Sequence, residues 1–246
     1  MLKTRVTQEL LSKVEVVLAS KSPRRKEILA GLLGNDNFQI VPSNFEEDLD
    51  KSSFDGPAGY VNQTAKEKAV EVRDRLADVP VSDGKSRRLI ISADTIVVLN
   101  DQILEKPRDR EHAFEMLSSL SGRTHEVITA ITLCLDDKVE PFYEVTKVKF
   151  GDLAPEMIQS YIDTNEPMDK AGGYGIQAIG GSFISEISGC YYNVVGFPQH
   201  LFCRKLLELL EKKGTTNDKS NNGGEEEKEE ENSTAVKKAK ICHGEK

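Results

Sequence analysis

Val16-Val-Leu-Ala-Ser-Lys-Ser-Pro-Arg-Arg25 is the stretch from which the rest of the chain is read. Glu15 to Ser20 is a short apolar run bounded by polar residues, the pattern of a buried strand. Pro23 suits the first turn of a helix, where its missing N–H is not needed. That helix, Arg24 to Leu33, carries Ile28, Leu29, Leu32 and Leu33 on one stripe and stops at Gly34. The strand-to-helix turn therefore holds Ser20, Ser22, Arg24 and Arg25 at a helix N-terminus. Free backbone N–H groups and the helix dipole favour an anion there, and an arginine fork can grip it bidentately. Lys21 makes the loop more basic.

Further along, Phe38 to Pro42 reads as a second strand and Glu46-Glu-Asp-Leu-Asp50 as an acidic loop. From Gly59 to Ala77 the apolar residues Val61, Ala65, Ala69, Val72 and Leu76 share one helical face. Leu89 to Leu99 is the strongest strand, and Asn100-Asp101 turns it into a short return strand, Gln102 to Glu105. Asp109 caps a helix that runs to Leu120. Two strands follow, Glu126 to Leu135 and Glu144 to Phe150, then a helix from Pro155 to Thr164 and a Gly-rich loop. A strand over Ser182 to Ile187 and a helix over Pro198 to Lys213 complete the series. Helices interleaved with lone strands and hairpins predict a mixed α/β fold.

Composition bounds the rest. The net charge of −8 argues against a nucleic-acid surface, which needs a basic face. It leaves room for a small polyanion held by a few convergent cations. The four cysteines, Cys134, Cys190, Cys203 and Cys242, have no close spacing, so free thiols in a reducing compartment are expected. No apolar run reaches membrane-spanning length and the first residues lack a secretory core, so the expected location is the cytoplasm. Residues 1–13 read as an extension, 14–213 as the folded domain and 214–246 as a charged tail. The tail, with Glu225 to Glu231 and a Lys237 to Lys240 cluster, has too little to bury and is expected to be disordered.

Three motifs carry the chemistry. Asp94 interrupts an apolar strand, and a carboxylate there must be paired, hydrogen-bonded or metal-bound. Glu105-Lys106 returns toward it across the hairpin. Glu46 and Glu47 offer oxygen ligands for a divalent cation. Lys68 sits on the second helix. Asp169-Lys-Ala-Gly-Gly-Tyr-Gly-Ile-Gln177 places Lys170 beside glycines that admit close backbone approach, and Gln177 could read a base edge. His112, His125, His200 and His243 show no zinc-ligand spacing, and there is neither a G-x-S-x-G elbow nor a P-loop.

Taken together, Ser20-Lys-Ser-Pro-Arg-Arg25, Ala93-Asp-Thr95, Glu105-Lys-Pro107, Leu120-Ser-Gly-Arg-Thr-His125, Asp169 to Gln177 and Asn193-Val-Val-Gly-Phe-Pro198 resemble the Maf family of nucleotide pyrophosphatases. The resemblance runs from about Val14 to Lys213. It implies a mixed sheet with flanking helices, two lobes around a cleft, and kinship with the inosine triphosphate pyrophosphatases. It also implies a homodimer that hydrolyses nucleoside triphosphates to monophosphate and pyrophosphate with Mg²⁺ or Mn²⁺, the loop matching the dTTP and UTP branch. On that pattern Asp94 is the proton acceptor, and Arg24, Thr95 and Gln177 match positions linked to specificity. Ser20, Ser22, Arg25, Lys68, Lys106 and Lys170 are the expected phosphate contacts, and Glu46, Glu47 and Asp94 the metal ligands. Lys21 departs from the pattern, standing where glycine is common. The alternatives are a non-catalytic nucleotide-binding regulator and the same chemistry on a methylated GTP.

Overall fold

β1 (Val14–Leu18) is buried along its whole length, because it has a hydrogen-bonded neighbour on each edge and only Glu15 is polar. Glu15 is held by an ion pair with Arg88 and by Ser82 Oγ at 2.5 Å. These contacts and the computed structural model as a whole describe Gln8 and residues 11–211. The expected tail, its lysine cluster and most of the expected N-terminal extension lie outside the described residues.

Among the described residues seven strands form one mixed sheet, in the order 39–40, 14–18, 87–99, 124–135, 138–150 and 184–188, with 102–104 on the edge of 87–99; they are numbered β1 to β7 along the chain. β2 (Gln39–Ile40) and β3 (Arg87–Leu99) lie parallel to β1. They are reached through α1 (Pro23–Leu33) and α2 (Pro57–Arg75). The expected strand from Phe38 to Pro42 shrinks to two residues, since Pro42 has no N–H for a ladder. α1 begins where expected: Ser22 Oγ accepts from Arg25 N at 3.4 Å, and Gly34 closes the helix at φ 77°.

β3 turns into β4 (Gln102–Leu104) through Asn100 and Asp101, both at positive φ (51° and 63°), the backbone of a tight I′ hairpin. α3 (Arg110–Leu120) is capped by Asp109, which accepts from His112 N at 2.8 Å. β5 (Thr124–Leu135) and β6 (Lys138–Phe150) form a long antiparallel pair. β6 starts six residues earlier than its alternation suggests and runs through Pro141. β7 (Ile184–Ser188) covers β6 only from Lys147 to Phe150, so Pro141 lies on a bare edge that tolerates it. α4 (Pro155–Asp163), α5 (Tyr191–Val195) and α6 (Gln199–Glu211) complete the helices, and the Gly-rich segment between α4 and β7 is a series of 3₁₀ turns.

Strand alternation divides the core. On one face of β3, Leu89, Ile91 and Ala93 join a cluster with Leu29 of α1 and Phe202 and Leu206 of α6. On the same face, Val97 and Leu99 join a second cluster with Leu117 of α3 and Ile158 of α4. Thr95 separates the two. The opposite face, through Ile90, Ile96 and Val98, packs in the two clusters that hold the buried face of α2. Burying each such side chain contributes roughly 2 kcal/mol. Cys134, Cys190 and Cys203 are free thiols. No described helix is long and apolar enough to cross a membrane.

Candidate active site

The site lies at a gap in the sheet. β1 pairs with β3 only as far as Ile91, and β4 takes up the same edge only from Val97. Residues 92–96 of β3 are therefore held by β5 alone, and Asp94 and Thr95 sit in that opening. A cleft of about 890 Å³ opens there.

Asp94 points to the α2 face. Its Oδ1 lies 2.8 Å from Lys68 Nζ, and the same ammonium lies 2.7 Å from Glu47 Oε1. Asp94 and Lys68 are 8% and 9% exposed, so the pair is shielded from water while its outer side faces the cleft. One cation, the Lys68 ammonium, thus touches both carboxylates. Glu46 does not join them: both glutamates are exposed, but only Glu47 lines the cleft. No group of three or more His, Cys, Asp or Glu side chains that could hold a metal ion occurs among the described residues.

Thr95 points the other way, into a partly buried network. Arg25 Nη2 donates to Thr95 Oγ1 (3.0 Å), Nη1 to the Ala93 carbonyl (2.8 Å) and to Ser20 Oγ (3.3 Å), and Nε to the Gly196 carbonyl (3.0 Å). The Ala93 carbonyl lies on the strand edge that β1 leaves bare, and Arg25 satisfies it. Burial pushes the Arg25 guanidinium down from its usual value, against the pull of Asp94; it remains charged. The sequence expectation made Arg25 a phosphate contact, but most of its fork is spent on protein acceptors. Thr95 Oγ1 also meets Thr129 Oγ1 at 3.0 Å, and Asn193 brackets Thr129 through its backbone and side chain. Asn193 is fully buried and donates to the Val127 carbonyl and Thr146 Oγ1, both at 2.9 Å. This network escaped the sequence reading, although Asn193 opens one of its motifs.

The remaining expected residues surround the opening. Arg24, Ser20, Ser22, Lys106, Lys170 and Gln177 all line the cleft. Both serine hydroxyls accept bonds within the turn and keep an O–H to donate. Arg24 Nε is buried without a hydrogen-bond partner. Lys106 is exposed, whereas Lys170 is tethered to the Glu166 carbonyl and Asp169 Oδ1, each at 2.6 Å. Behind the loop, His125 Nε2 and Tyr174 Oη are 2.7 Å apart, and burial holds the imidazole down at about 4.

The family profile described as "Maf-like protein" matches residues 15–209. The chain belongs to the Maf family. Among curated Maf relatives, a dTTP/UTP pyrophosphatase of Clostridium perfringens is 45% identical over 206 residues, 82% of this chain and 99% of the relative. The dTTP/UTP pyrophosphatase of Clostridium tetani is 43% identical over 201 residues, 80% of this chain and 97% of that one. A human protein named "Probable bifunctional dTTP/UTP pyrophosphatase/methyltransferase protein" is 50% identical over 214 residues. That alignment takes in 83% of this chain but only 33% of the human protein. Among solved structures, the Staphylococcus aureus Ham1 protein aligns over 81% of this chain and 99% of its own, with a TM-score of 0.41 and 12% identity.

Proposed function

We propose that this Maf protein hydrolyses dTTP and UTP to the nucleoside monophosphate and pyrophosphate. The observation that carries this reading is the shielded Asp94 carboxylate, set at the sheet gap in a cleft with several cationic side chains. The names of its Maf relatives support the same substrates.

The triphosphate enters with its anionic chain against Lys106 and Lys170 and the hydroxyls of Ser20 and Ser22. Asp94 accepts the proton of a water that attacks the α-phosphorus, and pyrophosphate leaves toward the lysines. Lys68 holds Asp94 in place and, through Glu47, fixes the wall of the cleft. Thr95 and Arg24 shape the base pocket. The Gln177 amide offers a donor and an acceptor that match O4 and N3–H of uracil and thymine.

The donor set suits Mg²⁺ or Mn²⁺, which are commonly held by one or two carboxylates together with substrate phosphates. Asp94 and Glu47 would supply those carboxylates, and Glu46, which does not line the cleft, would not take part. Such an ion, when bound, neutralises phosphate charge and makes water more acidic. The free thiols fit action in the cytoplasm. Exposed Tyr143 and Val145, on the bare half of β6, are a surface on which a homodimer could form.

The test is pyrophosphate release across normal and modified nucleoside triphosphates, with Mg²⁺, Mn²⁺ and chelator arms. Metal-dependent turnover led by dTTP and UTP supports the reading. A methylated GTP in the lead overturns the substrate assignment, and no turnover on any substrate favours a nucleotide-binding regulator. Asp94→Asn should lower kcat about 10³-fold with an unchanged circular dichroism spectrum. A chain ending at residue 213 should keep the full rate, because the catalytic unit is 14–213; a large loss would assign the tail a part in catalysis.

A further inference from the structure

Gln177 stands at the tip of a closed loop. Gln177, Ala178 and Ile179 are exposed, while Gly175 and Gly180 on either side are buried. The two glycines nearly touch: a Cβ on Gly180 would lie 2.9 Å from Gly175 N and 2.6 Å from Tyr161 Oη. One on Gly181 would lie 2.4 Å from the Ile176 carbonyl. Glycine is needed here for backbone approach.

Two side chains from outside the loop hold its ends. Glu166 Oε1 accepts from Gly180 N at 3.3 Å, and Oε2 from Ile179 N at 3.2 Å. Tyr161 Oη donates to Glu166 Oε1 at 2.9 Å and accepts from Gly175 N at 3.3 Å. The Glu166 backbone carbonyl accepts from Lys170 Nζ at 2.6 Å. One residue therefore connects the exit of the loop, its entrance through Tyr161, and a lysine that lines the cleft.

We propose that Glu166 is a positioning residue for base selection, its carboxylate holding the Gly175–Gly180 loop so that Gln177 meets the pyrimidine edge. This rests on the proposed role of Gln177. Three donors converge on two carboxylate oxygens, and an amide of the same size cannot serve them. In Glu166→Gln one oxygen becomes an NH₂, which in either orientation faces a backbone N–H, that of Ile179 or that of Gly180, donor against donor. The loop then loses an anchor while the core beneath it keeps its apolar contacts.

The experiment measures hydrolysis of UTP and CTP by the full chain, alongside amide hydrogen exchange. Glu166→Gln should lower the UTP-over-CTP ratio of kcat/KM about tenfold, mostly through a higher KM for UTP. Exchange at Ile179 and Gly180 should quicken while Leu117 and Ile131 stay protected. Added to Gln177→Ala, Glu166→Gln should remove no further selectivity, because it acts through Gln177. Tyr161→Phe, which keeps the ring and deletes the hydroxyl, should shift the ratio the same way and serves if Glu166→Gln does not fold. An unchanged ratio in Glu166→Gln, with a lowered one in Gln177→Ala, overturns the role of Glu166 and leaves that of Gln177 standing. An unchanged ratio in Gln177→Ala, or no UTP preference in the wild type, overturns both.

Discussion

His125 illustrates how a motif residue can serve the fold more than the chemistry. It is 2% exposed, meets the Tyr174 hydroxyl and packs edge-on against Phe150. Its folded pKa of about 4 lies below the ordinary 6.5, because burial penalises the imidazolium. The unfolded chain therefore binds a proton that the folded chain refuses, and protonation favours unfolding. This contribution is fully present above about pH 6.5 and is lost as pH falls from there toward 4, up to roughly 3 kcal/mol. Urea midpoints measured between pH 7 and 4.5 should fall accordingly, and His125→Gln should flatten that slope. A slope unaltered by the substitution would place the titrating group elsewhere. Asp94 was legible from sequence for a related reason, since a lone carboxylate among Ile91, Ala93 and Ile96 demands a partner. The identity of that partner was not, because Lys68 lies 26 positions away on a helix whose other lysine, Lys66, looks the same. The two adjacent arginines were equally indistinct: only the fold shows that Arg25 turns inward to the bare edge of β3.

Elements follow the same division. β1, α1, the β3–β4 hairpin and α3 were readable because each carries its own punctuation: Pro23 and Gly34, Asn100-Asp101, Asp109. β6 extends beyond its alternating stretch through Pro141, which a strand tolerates only on an edge, and edge status is a property of the whole sheet. The Gly-rich segment gave no regular pattern, since its 3₁₀ turns are set by what they lie against. Gly172 shows this best. It sits at φ 69°, and a Cβ there would come within 2.7 Å of Val97 Cγ2 and 2.9 Å of Val97 Cβ. Val97 is β-branched, 2% exposed and locked in the second core, so it cannot give way. Gly172→Ala should cost roughly 3 kcal/mol through backbone strain and overpacking together. A thermal midpoint within 2 °C of wild type, on the order of a sub-kcal change, would show that the turn can move off Val97.

Across the whole molecule, the mixed α/β class and the order of elements followed from the sequence, but the sheet gap did not. It depends on where β1 stops along β3, a register that leaves no mark in either strand alone. The gap also conceals a continuity. β3 and β5 pass through it unbroken, and each gives side chains to the apolar clusters on both sides. Neither half owns a sheet that could survive without the other, so denaturant finds no weaker half to take first. Urea unfolding followed by tyrosine fluorescence, in a chain with six tyrosines and no tryptophan, should coincide with the loss of far-UV ellipticity in one transition. Two separated transitions would mean the strands can be cut at the gap. A cleft spanned by such common girders cannot be widened by melting one bank, and nucleotide traffic is left to the loops and side chains along its rim.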